Sequence, residues 1–479
     1  MGYLYLITGL LLLLSGTGFL AYKLAKFSKF FPHKSDFKEY NINLYVLAIF
    51  SVALALGAVF INLSVLELNS VEMDAKSLSL TIIGGFFFFL TLAGFITYFV
   101  IYYYQKNIDP KYKKIFGYLW VGLFILTIAF FTMWLEGGAD YFSYPLIAGF
   151  SINETGFHWT TYLSSSSERS GFHIQFYALC ILSGALFVYF LNDHKFYQKY
   201  GRHGMLESTF FVAFPSGIIG SRIWYVVGNW HLSGFDHDPL SAFAIWDGGL
   251  TIIGGAVFGI IGGVLWVVFT QKGKFGIRDA FDIIVPTILL AQAIGRWGNF
   301  FNHEVYGSTL FSIEQTWWLP NWIKYQMAES FSSGSVSSAN FASPLFLLEG
   351  ILNICGYFLI TRGSQLINHV AYKYKLKKAV ANGINEEEFK KTNQNFIAPG
   401  AIGASYLIVY GIIRAPLELL RDPRFNMGND GMWSLINSLI MVGLGIFLIV
   451  LAFLYRKYGS KIFKKKKNKS PSDDESINS

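Results

Sequence analysis

The feature that most constrains this chain is the recurrence of apolar stretches long enough to cross a bilayer. A hydrocarbon layer of about 30 Å takes roughly 20 apolar residues as a helix. Eleven such stretches are expected, near residues 3–23, 43–64, 80–103, 115–134, 173–192, 207–228, 249–270, 281–296, 344–361, 399–418 and 434–455. Backbone polar groups in lipid must be satisfied within the segment, so each stretch is read as a helix. The predicted fold class is an all-α integral membrane protein with about eleven transmembrane helices. Composition agrees: 14% of residues are charged, against about a quarter in a soluble domain. The first stretch lacks a basic leading region and is followed by Lys23, Lys26 and Lys29, which makes it an anchor rather than a cleaved leader.

A net charge of +8 invites a nucleic-acid reading, but the distribution of charge argues against it. Loops 23–38, 106–114, 195–202, 272–278 and 362–391, with the tail 456–469, hold 30 of the 38 Lys and Arg. The opposite loops hold five, Lys76, Arg169, Lys324, Arg421 and Arg424. By the positive-inside rule the N-terminus is outside and the C-terminus cytoplasmic. The basic excess is then a topology signal and a contact for anionic membrane lipids, with no nucleic acid as partner. Three arginines remain, Arg222, Arg296 and Arg414, all toward the outer ends of their predicted helices. Such a cluster suits an anionic headgroup or phosphate, because Arg presents a rigid fork of donors. Each arginine can also pair with a local acid such as Asp247, Glu349 or Glu418, and the two readings are compatible.

The densest chemistry lies at residues 295–307, Gly-Arg-Trp-Gly-Asn-Phe-Phe-Asn-His-Glu-Val-Tyr-Gly, where an apolar span reaches the membrane surface. An Arg there is costly without a partner and is a functional residue by default. Gly295, Gly298 and Gly307 allow turns and close approach to a ligand. Further along, Arg414, Glu418 and Arg421 share one helix face by their spacings of four and three. Pro416 interrupts that helix, which argues against a merely exposed ion-pair ladder. Gly254 and Gly255 belong to a small-residue face explained largely by helix packing, though both are placed where substrate is expected. Cys180 and Cys355 lie in apolar spans as packing residues, and no metal-ligand spacing occurs. Residues 86–89, all Phe, read as a packing or lipid-facing surface, and residues 135–171, with Ser164 to Ser167, as a linker or small surface excursion.

The 295–307 stretch resembles the signature of the bacterial prolipoprotein diacylglyceryl transferase family, G-R-x-G-N-F-x-N-x-E-x-x-G, with every fixed position met. Other stretches resemble the family in order. These are Gln175-Phe176-Tyr177-Ala178-Leu179, Gly220-Ser221-Arg222-Ile223, and Trp246-Asp247-Gly248-Gly249-Leu250 followed by Gly254-Gly255. Ser343-Pro344, Leu348-Glu349, and Tyr410-Gly411 with Arg414, Glu418 and Arg421 complete the set. The resemblance covers residues 172 to 456 and implies a seven-helix transferase core at the C-terminal side. The expected organisation is a four-helix N-terminal membrane extension of unknown role (1–165), the transferase domain (166–456) and a disordered cytoplasmic tail (457–479).

What the resemblance implies is transfer of the diacylglyceryl group of phosphatidylglycerol to the thiol of a lipobox cysteine in a prolipoprotein signal peptide. Glycerol phosphate is released, in the cell membrane of a bacterium, with no metal or soluble cofactor. Arg296 and Arg414 would stabilise the departing phosphate, with Arg421 nearer the mouth and Arg222 in the same cluster. Glu304 and Glu418 would hold the arginines or accept bonds from glycerol hydroxyls; Asn299 and Tyr177 would orient the headgroup, beside Gly307, Gly254 and Gly255. Two departures bear on mechanism. The family's His before the Gly-Gly pair is Ile253 here, and the His of its H-P-x segment is Ser343, whereas His303 is an additional His at a variable position. An anionic-lipid transporter, or a catalytically degenerate structural homologue, would use the same arginines. The complete 295–307 signature separates the enzyme from the transporter.

Overall fold

The computed structural model describes residues 3–14, 51–64, 73–104, 110–141 and 144–467, outside 155, 166, 169–170, 203, 231–234, 236–237, 244–250, 271–274, 313–315, 329–330, 333–334, 337–339, 384–385, 387–388, 390–395 and 426–431. The basic segment 23–38, the Trp246 to Leu250 motif and the tail beyond Lys467 thus lie outside the described residues. The chain divides into two compact units, Met1–Leu146 with Phe311–Phe341, and Ile147–Leu310 with Ala342–Ser479.

In the first unit, helices α1 (Tyr3–Leu14), α2 (Ser51–Ser64), α3 (Ala75–Tyr104) and α4 (Pro110–Gly138) are apolar. Helices α3 and α4 approach closely because small residues face the partner. A Cβ on Gly84 would sit 2.8 Å from the Trp134 Cα. The Phe run is packing surface: Phe87 stacks on Phe130 and Phe88 on Trp134, with centroids 5.0 and 5.7 Å apart. Segment 311–341 belongs to this unit through its short helix α10 (Asn321–Gln326), seated at the end of α4. The Glu136 carboxylate accepts the Asn321 N–H at 2.7 Å, and the Tyr325 hydroxyl donates to Asp140 at 2.8 Å. The Gln326 side-chain oxygen accepts the Leu146 N–H at 2.8 Å. Trp322, Gln326 and Met327 are consequently buried.

The second unit opens with β1 (Ile147–Asn153), β2 (Gly156–Thr161) and β3 (Phe172–Gln175), an antiparallel sheet in the order β2-β1-β3. Of the two expectations for 135–171, the plain linker gives way to a small folded excursion. The signal was present: aromatic and β-branched runs flank a turn at Gly156, whose φ is +120°. The Ser run had masked it. Helices α5 (Phe176–Tyr200), α6 (Glu207–Gly228), α7 (Ile252–Thr270), α8 (Ile277–Ile284), α9 (Ile288–Phe301), α11 (Leu345–Ala381), α12 (Ala401–Leu420) and α13 (Met432–Lys467) follow.

Six helices among the described residues are long and apolar enough to span a membrane, within α3, α5, α6, α11, α12 and α13. Shorter apolar helical stretches among the described residues are Tyr3–Leu14, Ser51–Ser64, Gly122–Gly138 and Val257–Thr270. The predicted 281–296 span is broken instead: α8 ends at Ile284, a 3-10 turn carries Pro286, and α9 restarts at Ile288. Proline lacks the N–H and clashes with the preceding turn, which ends α8 there. The protein is mostly helical with a membrane character, and the expected spans 3–23, 43–64 and 249–270 lie partly outside the described residues. Helices α11 and α13 outrun their apolar parts, into the basic residues up to Ala381 and Lys467. Lysine is a good helix former, so charge alone does not end them.

The break at Pro286 also places Asp282 beneath the start of α12. Its two oxygens accept the Gly400 and Gly403 N–H groups at 2.7 and 2.8 Å. A carboxylate on a neighbouring helix thereby caps the first turn, which lacks internal acceptors.

Candidate active site

Residues 295–301 of the signature are not a turn. They form the last two turns of α9, and only the chain beyond Phe301 reverses. Gly298 faces α5, where a Cβ would lie 2.9 Å from the Tyr177 Cα, so the two helices touch at Tyr177. Beyond the helix, His303 and Val305 take φ of +50° and +59°. A left-handed β-branched residue is strained by about 1–3 kcal/mol and needs its surroundings to hold it. Backbone bonds do so here. The Glu304 N–H donates to the Asn299 carbonyl, Gly307 to Ser343 and Ser308 to Leu420, each at 3.0 Å. Gly307 forms a bridge with Arg421 so tight that any Cβ would run into the Ser343 Oγ. The signature exit is thus woven between the start of α11 and the end of α12.

That weave brings together charges far apart in sequence. Arg296 donates to the Glu349 Oε1 at 2.6 Å and to the Asn299 Oδ1 at 3.2 Å. Arg414 reaches the same Glu349 oxygen at 3.5 Å and Glu418 at 2.5 Å. Arg421 lies 3.2 Å from Glu418. The Asn299 amide donates onward to Glu304 at 3.0 Å. Glu349 and Glu418 are 3% and 1% exposed, so neither is screened by water. Three guanidiniums are ion-paired directly with two buried carboxylates, and the third carboxylate, Glu304, joins them only through Asn299. Burial, then the like charge of Arg414, pull the Arg421 guanidinium down to about 10, which leaves it a cation at neutral pH. Its buried Nε has no hydrogen-bond partner among the described residues.

The candidates separate into two groups. Arg296, Arg414, Arg421, Glu418, Asn299 and Glu304 form one chain of contacts, with Tyr177 and Gly307 packed against its backbone. Arg222 is occupied differently: it donates to the carbonyls of Ser241 and Ala242 at 2.7 and 2.8 Å and so holds the loop after α6. Gly254 and Gly255 lie on the α6–α7 contact, where a Cβ at Gly254 would be 2.5 Å from the Gly220 carbonyl oxygen. Sequence reasoning named Glu349 only as a local pairing acid. Its central place, between Arg296 and Arg414, had no signal beyond its position in the family's Y-E segment. His303 is clamped between rings, stacked on Tyr162 at 4.4 Å and against Tyr306 at 4.8 Å.

A polar cavity of about 290 Å³ adjoins this chain of contacts, walled by Glu304 and Asn302 on the signature side and by the sheet on the other. Burial pushes the Glu304 carboxyl above the usual carboxylate range, against the opposing pull of hydrogen bonds from Asn299 and Asn302.

The profile of the family described as prolipoprotein diacylglyceryl transferase matches residues 167–451. A phosphatidylglycerol–prolipoprotein diacylglyceryl transferase of Streptococcus suis (strain 05ZYH33) is 34% identical over 279 residues, 58% of this chain and 88% of the relative. Enzymes of the same name from Streptococcus agalactiae serotype Ia and Streptococcus pneumoniae (strain Hungary19A-6) are 30% and 31% identical, over 58% of this chain and 91% and 89% of theirs. With the profile spanning more than half of the chain and the relatives aligned along most of their length, this chain belongs to the prolipoprotein diacylglyceryl transferase family.

Proposed function

We propose that this protein transfers the diacylglyceryl group of phosphatidylglycerol to the lipobox cysteine of prolipoproteins, the first step of lipoprotein maturation. The observation that carries this reading is the buried cluster of Arg296, Arg414 and Arg421 around Glu349 and Glu418. In the reaction the cysteine sulfur attacks the glyceryl carbon, a C–S bond forms, and the C–O bond to phosphate breaks. The electron pair leaves on the phosphate oxygen, and the thiol proton passes to solvent or to the departing glycerol phosphate.

What must be stabilised is negative charge gathering on the phosphate. Preorganised arginines in a dry site do this without reorganising during the step. Arg296 and Arg414 are the catalytic cations in this reading, with Glu349 setting the angle of both. Glu304, joined to Arg296 through Asn299, faces the headgroup. Tyr177 and Gly307 shape the walls, and Arg421 guards the mouth. A free thiol has a pKa of about 8.5, so roughly 3% is thiolate at pH 7. Lacking a base therefore costs about 2 kcal/mol, and neighbouring guanidiniums lower the thiol pKa further. The chemistry accordingly runs with Ile253 where a His is expected.

The charge asymmetry of the loops supports an N-terminus outside and a cytoplasmic C-terminus, which puts the arginine cluster at the outer leaflet of the bacterial cell membrane. The test is purified full-length protein in phosphatidylglycerol vesicles, with the diacylglyceryl group labelled and a lipobox peptide added. A thioether-linked label on the cysteine is expected. Lipid crossing the bilayer with no labelled peptide would reverse the reading in favour of transport.

A further inference from the structure

The sheet that opens the second unit lies largely before the matched residues 167–451, yet it builds one wall of the cavity beside Glu304. Thr160 and Tyr162 come from the β1–β2 hairpin, His173 and Gln175 from β3, and Asn302 and Glu304 from the signature. Strand period explains the shared face: His173 and Gln175 are two apart, and Thr160 is in register with Gln175 across Gly149. Gly149 has no side chain to fill that face, and the Thr160 hydroxyl and the His173 Nε2 meet at 3.3 Å. The hairpin is pinned to the signature by the parallel stack of Tyr162 on His303, tilted by only 8°.

The wall chemistry selects a ligand. It offers hydroxyls, an imidazole, two carboxamides and a carboxylate, and among the described residues no Lys or Arg lines it. An anion there would meet the Glu304 carboxylate with no cation in the described lining. Arg296 lies beyond Asn299, so the phosphate belongs on the arginines and not in the cavity. A neutral polyol, with donors and acceptors on each carbon, matches such a lining. The cavity is also one side chain away from the cations. Glu304 accepts from Asn299, and Asn299 accepts from Arg296. A phosphate on Arg296 thus leaves its alcohol substituent facing the cavity.

We infer that Thr160, His173 and Gln175, with Asn302 and Glu304, bind the glycerol end of the lipid headgroup, and that this sheet sets headgroup selectivity. The inference rests on the reading of the arginine cluster as the phosphate site. Binding of glycerol phosphate and of methyl phosphate to the purified full-length protein tests it. The two probes carry the same monoester charge and differ in the polyol. Wild type is expected to hold glycerol phosphate at least tenfold more tightly. Thr160→Val and His173→Phe should each erase most of that preference while methyl phosphate binds as before, and Thr160→Ser should keep it. A wild-type protein with no preference overturns the inference, and that comparison stands even where a variant fails to fold. Variants with an unchanged preference overturn it too, as does an equal loss for both probes at an unaltered melting temperature. The transfer assay on the same wild-type preparation separates the two failures. Transfer without a polyol preference sinks the inference alone, and a polyol preference without transfer sinks the functional reading alone.

Discussion

At the scale of single residues, the site depends on geometry as much as on charge. Arg296 forks between Glu349 and Asn299, two acceptors at 2.6 and 3.2 Å. Arg296→Lys keeps the charge but cannot span both, since an ammonium is a point donor. Transfer by that variant is expected to fall on the order of a hundredfold, the loss of about 3 kcal/mol at one charge-assisted contact. Near-normal turnover would refute the forked role. His303 is the opposite case. Its ring lies between Tyr162 and Tyr306 and serves to hold the hairpin. His303→Ala should therefore keep most of the activity at saturating substrate. In both proteins the pH–rate profile should rise with the thiol's ionisation. An inflection near pH 6.5, the unperturbed His value, that vanishes in the variant would instead make His303 the base.

The elements are tuned by contacts that join them rather than by local caps. Helix α12 carries Arg414 and Glu418, and its first turn is capped from α8 by Asp282. Asp282→Ala strips the acceptors from two half-buried N–H groups, and a loss of about 2 kcal/mol is expected. A lower melting temperature in detergent would show it, with Asp282→Asn falling between, because one side-chain oxygen still accepts. An Asp282→Ala protein as stable as wild type would mean that water replaces the cap. Helix α9 shows the complementary point. Its length is set by Pro286 at one end and by the left-handed pair His303 and Val305 at the other. Both ends are needed to place Arg296 and Glu304 at either end of Asn299.

For the whole molecule, two expectations follow from how the chain is partitioned. In the expected topology, 30 of the 38 basic residues fall in loops on one side of the membrane. Introduced cysteines in Ser166→Cys and Ser364→Cys should label with an impermeant reagent only in the first, and labelling of the second in intact cells would sink the orientation. The second expectation concerns the N-terminal unit. Segment 311–341 buries Trp322, Gln326 and Met327 within it, donates hydrogen bonds to Glu136 and Asp140 and accepts one from Leu146. A chain that begins at Ile147 would expose these side chains and leave polar groups unpaired. Such a truncation should give little folded protein, or a segment 311–341 cut rapidly by protease. A truncated protein with wild-type protease resistance would make the extension dispensable for folding.

The sequence by itself determined what depends on one residue or on a local period. Apolar stretches, basic loops and the 295–307 signature each state their message within a short window, so membrane character, helical class and family were legible there. The tertiary structure alone decided what depends on which distant groups meet. Residues 147–175 hid a sheet, because pairing partners and register are not visible in one strand. Glu349 became the hinge between Arg296 and Arg414 because α11 brings a buried carboxylate to both, and ion pairing is chosen by proximity in three dimensions. Arg222 looked equivalent to those two in the sequence and is held by backbone carbonyls instead. Segment 311–341 lies inside the matched residues yet packs with the N-terminal helices, since burial of Trp322 and Gln326 follows available surface rather than chain order.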